Sequence, residues 1–218
     1  MEERLPKLKK TFYSAIVKRC LDVILSGFAL VMLSPFFLMI AILELIFHGK
    51  PVLYCQKRAG RNGSIFNIYK FRSMTNEVDE NGELLAGNLR LTKFGKLIRK
   101  TSIDELPELF CIFKGDMSII GPRPLLPRYT ELYSKRHRGR LLIRPGLTCP
   151  WIKKTKNERK YSKYTWGIQF ENDVWYVENV SFFVDIKMIF AIIKEVLMPR
   201  SDRVEDTREE FNGRNLWE

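Results

Sequence analysis

Histidine is scarce in this 218-residue chain and cysteine is never paired, which excludes several kinds of site. The two histidines, His48 and His137, lie beside basic residues and suggest neither a metal centre nor a catalytic triad. The four cysteines lie far apart and form no C-x-x-C pair, so neither a zinc site nor a disulfide framework is indicated. No internal repeat is present. A reduced, cytoplasmic setting fits these features best.

Acidic residues are too few to balance the basic ones. The chain has 37 lysines and arginines against 25 aspartates and glutamates, which gives a net charge of +12. Such an excess indicates an anionic partner, which could be lipid headgroups, nucleotide phosphates or nucleic acid. Composition alone does not choose among them.

Residues 21–47 form an almost uninterrupted apolar run of 27 residues. At about 1.5 Å per residue, a straight helix of this length would reach roughly 40 Å, enough to cross a hydrocarbon core of ~30 Å. Basic residues mark the cytoplasmic side of a membrane, yet Lys18 and Arg19 precede the run and Lys50 and Lys57 follow it. Both ends of the run are therefore predicted to be cytoplasmic.

The Ser34-Pro35 step at the middle of the run explains how a run long enough to span a membrane can have both ends on the cytoplasmic side. Proline removes a helical N–H and permits a sharp bend, and Ser34 can satisfy backbone groups freed there. Each arm then reaches only roughly 20 Å, so we expect a re-entrant helical hairpin that enters one leaflet and returns. A kinked single span is the alternative. A cleavable signal peptide is disfavoured because no A-x-A-like site follows the run.

The remaining chain predicts an α+β fold. We expect an N-terminal amphipathic segment and the membrane helix over 1–48, a small cytosolic catalytic domain over 49–198, and a polar tail with little fixed structure over 199–218. The predicted elements are a β-hairpin over 51–58 and 64–74, an exposed loop over 76–88, and helices over 92–100, 103–114, 127–137 and 181–197. Interfacial placement is expected for the amphipathic residues 5–19 and for the apolar helix 181–197.

Two interpretations of the tetrapeptide Ser102-Ile103-Asp104-Glu105 stay open on the residues alone. In the first, Ser102 caps a helix and Glu105 reaches back, as in a capping box. In the second, the carboxylates of Asp104 and Glu105, preceded by Arg99, stand where a phosphate and a divalent cation could both be held. One carboxylate could then attack phosphorus while the other holds Mg²⁺, which would neutralise a pyrophosphate leaving group.

Three further basic residues are candidates for substrate binding. Arg123 lies between two prolines, which fix the backbone and suit the guanidinium to phosphate, although an exposed turn would look the same. Lys70 and Arg72 share one face of the second strand by its two-residue period. That signal is weak, since solvated strand faces often carry such pairs.

Seven motifs, taken in order, resemble those of the bacterial sugar transferases, the small monotopic phosphoglycosyl transferases that start glycoconjugate assembly. They are K-R-x-x-D at 18–22, the Ser34-Pro35 break, Q-K-R-x-G-R-N-G at 56–63, Y-K-F-R-S-M at 69–74, R-K-T-S-I-D-E-L-P-E-L at 99–109, K-G-D-M-S-I-I-G-P-R-P at 114–124 and R-P-G-L-T at 144–148. The similarity covers about residues 12–198, and the ordered set is far more specific than any one motif.

The resemblance implies transfer of a sugar 1-phosphate from a nucleotide sugar, usually a UDP-sugar, to a polyprenol phosphate such as undecaprenyl phosphate, with release of UMP. Asp104 matches a nucleophile that forms a phosphoaspartyl-sugar intermediate, and Glu105 matches its partner, associated with Mg²⁺. Both carboxylates are candidate metal ligands. Lys70, Arg99 and Arg123 match positions associated with substrate phosphates.

The same resemblance extends to placement and partners. Ser34-Pro35 matches the break of a re-entrant helix, and Asp185 matches a late aspartate with a structural or supporting role. The expected location is the bacterial inner membrane, with membrane lipids as partners and the active site on the cytoplasmic face. A homodimer stays open, and no nucleic-acid partner is expected because no recognised nucleic-acid module is present.

One stretch departs from the family pattern, and one alternative function remains. After R-P-G-L-T many relatives continue with glycine and a neutral polar segment, whereas this chain has a cationic stretch from Cys149 to Lys156. The change bears on sugar or nucleotide recognition more than on the type of reaction. The alternative is a basic membrane-surface adaptor without turnover, although its carboxylate pair would repel anionic headgroups.

Overall fold

The computed structural model describes residues 5–149, 165–197 and 210–216. The chain divides into two compact units that each combine distant segments. The terminal unit contains Met1–Asp22, Lys57–Phe66 and Gly115–Glu218, and the central unit contains Val23–Gln56 and Asn67–Lys114. The first helix and both strands of the hairpin therefore contribute residues to both units, a grouping that follows packing and not the order of the sequence.

The apolar run forms two helices that are interrupted where the sequence predicts a break. A π-helical turn over Tyr13–Val17 leads into helix α1, Lys18–Met32, and helix α2 spans Ser34–Phe47. The two arms are bent by 61°. Pro35 cannot donate a hydrogen bond to the Val31 carbonyl one turn earlier, and the Ser34 hydroxyl donates to that oxygen at 2.8 Å instead. Ser34 thus satisfies the backbone group that the proline frees.

Among the residues described, no single helix is both long and apolar enough to cross a membrane, and the bent pair meets that requirement only when its two arms are counted together. Large apolar side chains are exposed along both arms, including Ile24, Phe28 and Val31 on α1 and Leu38 and Ile46 on α2. The break is confirmed, while the return of the chain to one side of a membrane stays a prediction.

The N-terminal segment differs from the expected interfacial helix over its first half. Residues 5–11 have no regular secondary structure. The Lys9 amide donates to the Val177 carbonyl at 3.2 Å, and Pro6 packs so closely on Gly139 that a Cβ there would lie 2.1 Å from its ring. Tertiary contacts therefore hold this stretch in an irregular path.

Most of the predicted elements lie between residues 53 and 114. Strands β1, Leu53–Ala59, and β2, Ile65–Phe71, form a two-stranded sheet around a turn at Arg61–Gly63, so the predicted hairpin is confirmed. A short helix α3 spans Gly87–Arg90 at the end of the exposed loop, and α4 spans Lys93–Lys100. Helix α5 begins only at Glu108 and ends at Lys114, because Pro107 directly precedes it and residues Ile103–Glu105 form a separate 3₁₀ turn.

The terminal unit contains a second small sheet and two long helices. Strand β3, Ser118–Ile120, pairs in parallel with β4, Gly146–Thr148, with Ser118 opposite Gly146. Helices α6, Trp166–Asn179, and α7, Phe182–Leu197, follow. The predicted helix over 127–137 is wrong, since Pro127–Thr130 and His137–Leu142 form two 3₁₀ segments. These segments place aromatic residues in a core, and tertiary packing overrides the local pattern.

That aromatic core also corrects the expectation of a loose tail. Phe211 is buried against a cluster of aromatic side chains, which are Tyr129, Tyr133, Trp166 and Phe170. The Leu216 carbonyl accepts a hydrogen bond from the Gly167 amide at the start of α6. Residues 210–216 are therefore anchored, and residues 198–209 lie outside the described part of the chain.

Candidate active site

The core of the central unit fixes the backbone beside three of the candidate site residues. Phe71, Ile98 and Ile103 belong to one hydrophobic cluster, in which Phe71 and Ile98 are buried. Each of these core residues is adjacent in sequence to a charged candidate residue: Phe71 to Lys70, Ile98 to Arg99, and Ile103 to Asp104. Packing of this cluster therefore sets the positions from which the three charged side chains extend.

The helix break is packed on the same cluster. Phe36 and Phe37, which follow Pro35 directly, contact the buried residues of the cluster, and the rings of Phe37 and Phe71 lie 5.9 Å apart. Ile40, one turn later in α2, is also buried there. The apolar helix and the candidate site thus share one core.

Asp104 and Glu105 lie in a tight turn and not at a capped helix start. Ser102 adopts a left-handed backbone conformation with φ of 56° and makes no side-chain cap hydrogen bond. The capping-box interpretation is therefore wrong. Glu105 instead accepts from the Lys70 ammonium, with 2.6 Å between Oε1 and Nζ. The turn presents two adjacent carboxylates, of which Asp104 is buried and Glu105 half-buried.

Lys70 also contacts a third carboxylate that sequence reasoning missed. Glu108 is buried, and its Oε1 lies 3.2 Å from Lys70 Nζ. Glu108 stands four residues after Asp104 and three after Glu105, a spacing that places side chains on one face of a helix. That spacing was a signal for grouping all three carboxylates. Lys70 therefore anchors the acidic cluster.

The surroundings of Asp104 change its acidity. Burial raises the pKa of Asp104 above its ordinary value, the nearby Lys70 ammonium lowers the pKa, Glu105 raises it, and Arg99 lowers it. Burial is the largest of these influences, so the net direction is upward. A poorly solvated carboxylate with a raised pKa is a stronger nucleophile once it is ionised.

Arg99 is fixed near this carboxylate through its inner nitrogen. Its Nε donates to the Ser73 hydroxyl at 2.7 Å. Gly95 lies one turn earlier on the same face of α4, and a Cβ there would come within 1.9 Å of the Ser73 carbonyl oxygen. Only glycine permits this close approach of α4 to Ser73. The hydrogen bond uses Nε, so the exposed guanidinium head is oriented without its Nη atoms taking part in that bond.

Arg72 lies in a different environment from Lys70. It is buried, and its guanidinium donates to the carbonyl oxygens of His48 and Pro51, each at 3.1 Å, and of Met74 at 3.3 Å. These bonds tie the chain leaving α2 to the end of β2. The environment favours a structural role for Arg72 over the predicted contact with substrate phosphates.

Arg123 belongs to the terminal unit, in a loop that close backbone packing holds. Gly121 and Gly146 face each other, and a Cβ on Gly146 would lie 2.2 Å from the Gly121 nitrogen. Arg123 Nη1 donates to the Leu147 carbonyl at 3.2 Å, while the buried Arg140 donates to the carbonyl of Arg123 at 2.8 Å. The two glycines thus join the G-P-R-P and R-P-G-L-T motifs and fix the backbone of an exposed arginine.

Asp185 is at the centre of a saturated polar cluster in the terminal unit. It accepts from the Tyr13 hydroxyl at 2.6 Å, the Lys18 ammonium at 2.7 Å and the Tyr176 hydroxyl at 2.7 Å. Lys18, Asp185 and Tyr176 are all buried. This arrangement supports the structural role that the family resemblance implies for Asp185.

The donor set of the turn is compatible with Mg²⁺. In the described parts of the chain, no group of three or more histidine, cysteine, aspartate or glutamate side chains is arranged to hold a metal ion. Mg²⁺ in phosphoryl-transfer sites commonly uses one or two carboxylates together with substrate phosphates and water. Asp104 and Glu105 supply that minimum, with Glu105 shared with Lys70.

The cationic stretch that departs from the family pattern lies almost wholly outside the described residues. Only Cys149 is described, and its carbonyl accepts from the Asn172 side chain at 3.0 Å. Burial raises the pKa of its thiol well above the ordinary value. Cys149 is therefore a packed residue of the terminal unit.

Comparison with known proteins identifies the family of the chain. The chain matches the bacterial sugar transferase family over residues 13–199, and it belongs to that family. It is 42% identical to an uncharacterized sugar transferase, EpsL, of Bacillus subtilis, over 91% of this chain and 96% of that protein. The predicted membership is thus confirmed, and with it the predicted class of enzyme, a phosphoglycosyl transferase, against the alternative of a non-catalytic adaptor.

Two relatives have more specific names. The chain is 34% identical to the UDP-N-acetylgalactosamine-undecaprenyl-phosphate N-acetylgalactosaminephosphotransferase of Aeromonas hydrophila, over 90% of this chain and 47% of that protein. It is 36% identical to the undecaprenyl-phosphate galactose phosphotransferase of Salmonella typhimurium, over 84% of this chain and 41% of that protein. The chain therefore spans less than half the length of these two relatives.

Proposed function

We propose that this protein transfers a sugar 1-phosphate from a UDP-sugar to undecaprenyl phosphate and thereby starts assembly of a bacterial glycoconjugate. The observation that carries the proposal is the turn at Asp104 and Glu105, where a buried carboxylate of raised pKa adjoins the 2.6 Å ion pair between Glu105 and Lys70. The names of the relatives from Aeromonas and Salmonella support undecaprenyl phosphate as the acceptor.

The first step forms a covalent intermediate on Asp104. A carboxylate oxygen attacks the phosphorus that bears the sugar, a new oxygen–phosphorus bond forms, and the pyrophosphate bond breaks. UMP leaves with the bridging oxygen and its electron pair. In the second step a phosphate oxygen of the polyprenol phosphate attacks the same phosphorus, which releases the Asp104 carboxylate and leaves the sugar on a lipid diphosphate.

The basic residues have distinct roles in this scheme. Lys70 holds Glu105 and Glu108, and its charge favours the ionised form of Asp104. The anchored guanidinium of Arg99 binds an oxygen of the donor diphosphate, and the fork of Arg123 binds a second substrate phosphate. Lys70 is thus a positioning residue, and the two arginines bind substrate.

Glu105 and Asp104 are the residues that would hold Mg²⁺ jointly with the donor diphosphate. When bound, the ion supplies charge neutralisation for the departing phosphate. Glu105 would orient the donor only through such an ion, while Asp104 provides the attacking oxygen. Chelation is expected to stop turnover and to leave the protein associated with membrane.

The decisive experiment incubates purified protein with the UDP-sugar in the absence of polyprenol phosphate. We expect up to one equivalent of UMP and one sugar phosphate attached to the protein, measured by intact-protein mass spectrometry. Asp104→Asn removes the attacking anion at nearly constant volume and should abolish both products. The exposed Asp79→Asn is the matched control. A normal rate of adduct formation by Asp104→Asn would place the nucleophile elsewhere.

We also propose that α1 and α2 form the re-entrant membrane element on the cytoplasmic side. The bend at Pro35, the exposed apolar side chains and the basic flanks support this topology. Single cysteines at Lys7 and at Lys50, in a background with native cysteines replaced, should both be shielded from an impermeant thiol reagent in intact cells. Labelling at only one of the two positions would indicate a true span. Pro35→Ala should favour that outcome by straightening the helix.

A further inference from the structure

His48 directly follows α2, and its imidazole is fully buried between two polar partners of the central unit. Its Nδ1 lies 2.8 Å from Oε2 of Glu44, which is one helical turn earlier and also fully buried. Its Nε2 lies 2.8 Å from the Thr92 hydroxyl oxygen. The ring of Phe94 packs against the imidazole, with 6.0 Å between the ring centroids. Contacts at both nitrogens and on the ring therefore fix the imidazole.

The hydrogen bonds of His48 continue into the backbone of α4. The Thr92 oxygen accepts from the Gly95 amide at 2.8 Å. A hydroxyl also has one hydrogen to donate, and Nε2 of a neutral imidazole can accept it. Nδ1 then carries the ring proton and donates to Glu44. This tautomer matches each donor with an acceptor, so Glu44, His48, Thr92 and Gly95 form one hydrogen-bonded network, hereafter the His48 network.

The His48 network holds the start of the helix that carries Arg99. Thr92 is the N-cap of α4, which has only eight residues, and Arg99 lies in its last turn. Eight residues make about two turns, so a shift of the first turn is carried to the last. Gly95 and Arg99 both lie against Ser73, Gly95 by close backbone approach and Arg99 by its 2.7 Å hydrogen bond. The network therefore fixes how α4 meets Ser73.

The backbone of His48 holds the other side of the same contact. Its carbonyl oxygen accepts from Arg72 Nη1 at 3.1 Å, and Arg72 directly precedes Ser73. The imidazole of His48 thus ties down the helix of Arg99, and the carbonyl of His48 ties down the strand end beside Ser73. Both partners of the hydrogen bond between Arg99 and Ser73 are connected to one residue at the end of α2.

We propose that His48 is a positioning residue for Arg99 and that Glu44 orients its imidazole for this role. The inference rests on the proposed function in one respect, which is that Arg99 binds an oxygen of the donor diphosphate. The imidazole is fully buried, so it acts through Arg99 and not on the substrate. The end of the second arm of the apolar helix pair then sets the orientation of a donor-binding group.

Two substitutions of His48 separate its contacts. His48→Asn carries an amide nitrogen near the place of Nδ1, so it can still donate to Glu44 but does not reach Thr92. His48→Gln is one methylene longer and carries its amide near the place of Nε2, so it keeps the contact with Thr92. Both leave Thr92 in place as the cap of α4. They differ in the contact that the proposal requires.

A second pair of variants keeps the test valid if a change at the buried His48 prevents folding. Thr92→Val removes the hydroxyl at nearly constant volume, whereas Thr92→Ser retains it. Thr130→Val is the matched control, because it makes the same chemical change in the terminal unit and removes only the local hydrogen bond to the Pro127 carbonyl.

The first measurement follows the Nε hydrogen of Arg99 by nuclear magnetic resonance of the protein in detergent, labelled with ¹⁵N-arginine. Loss of the signal in Arg99→Lys assigns it. We expect its exchange with water to be about tenfold faster in His48→Asn and Thr92→Val, which is the effect of losing about one hydrogen bond. Exchange should stay within about twofold of the unsubstituted protein in His48→Gln, Thr92→Ser and Thr130→Val. Unchanged exchange in the folded His48→Asn or Thr92→Val variant overturns the proposal.

The second measurement is adduct formation from the UDP-sugar. We expect His48→Asn and Thr92→Val to form the adduct about fivefold more slowly and to need more donor for half the maximal rate. In an Arg99→Lys background the same changes should cost less than about twofold, because the guanidinium that they position is gone. Equal losses in the two backgrounds would show a general effect on the fold and overturn the proposal. Absence of adduct in the unsubstituted protein would contradict the proposed function alone, since the exchange measurement needs no substrate and still decides whether His48 positions Arg99.

Discussion

Asp104 in the central unit and Asp185 in the terminal unit are both buried carboxylates, but their surroundings differ sharply. Two tyrosine hydroxyls and the Lys18 ammonium donate to the oxygens of Asp185. Asp104 has a hydrogen bond with its own backbone and interacts with Lys70 and Arg99 through charge, while burial raises its pKa. Neighbouring groups thus satisfy the hydrogen-bonding capacity of Asp185, whereas ionised Asp104 keeps an electrostatic cost.

The difference separates a structural carboxylate from one suited to chemistry. A carboxylate that accepts three good hydrogen bonds has little reason to form a new bond, because attack would break those contacts. A carboxylate that is desolvated but held near cations is closer in energy to the acyl phosphate it would form. The comparison predicts opposite effects of the same substitution at the two positions.

The largest expected effect on stability belongs to Asp185→Asn. The change leaves the buried Lys18 ammonium without its partner charge, and breaking a buried ion pair in this way costs about 3–5 kcal/mol. Thermal unfolding of the detergent-solubilised protein should begin roughly 10 °C lower or more.

Asp104→Asn, measured by the same thermal unfolding, is expected to have the opposite effect on stability. Because the folded protein raises the pKa of Asp104, its ionised form destabilises the fold at neutral pH, and a neutral amide removes that cost. We expect unchanged or slightly higher stability together with loss of turnover. Equal destabilisation by the two substitutions would remove the distinction between the two carboxylates.

Elements that carry their own local signals could be predicted from sequence. Thr92 caps α4 by accepting from the Gly95 amide at 2.8 Å, the turn at Arg61–Gly63 closes the hairpin, and Pro35 ends one helix and begins another. Each signal depends on the conformational preference of one residue or on a contact three residues away. Such preferences act whatever the rest of the chain does.

Features that depend on distant partners could not be predicted in the same way. The S-x-x-E pattern at Ser102 fits a capping box, but Lys70 engages Glu105 across 35 residues and Pro107 delays the helix. The nucleophilic role proposed for Asp104 follows from the family resemblance, whereas the residues alone leave the cap interpretation open. Likewise, Phe211 has no local signal that would place it in an aromatic core with Tyr133.

An effect of intermediate size is expected at Arg99. Arg99→Lys keeps the charge near Asp104 but loses the planar fork, so single-turnover adduct formation should slow roughly 10- to 100-fold. Ser73→Ala keeps the fork and removes only its 2.7 Å anchor, so a loss of several-fold is expected. The exposed Arg138→Lys is the control for the chemical change. A greater loss in Ser73→Ala than in Arg99→Lys would mean that Ser73 acts on the fold and not through Arg99.

The smallest expected effect is a shift in pH dependence, and its sign tests the electrostatics of the turn. Asp104 must be ionised to attack, so adduct formation should fall as the pH drops through its raised pKa, with a midpoint above the ordinary value of ~3.9 for aspartate. Lys70→Gln removes a charge that lowers the pKa of Asp104 and should move the midpoint upward. Glu105→Gln removes a charge that raises it and should move the midpoint downward. The midpoint is measured by quenching the reaction at set times across a pH series and quantifying the adduct by mass spectrometry. This midpoint is independent of the maximal rate. Lys93→Gln, which changes an exposed cation of the same unit, is the control. Midpoint shifts of the same sign in Lys70→Gln and Glu105→Gln would show that the fall in rate at low pH reports a group other than Asp104.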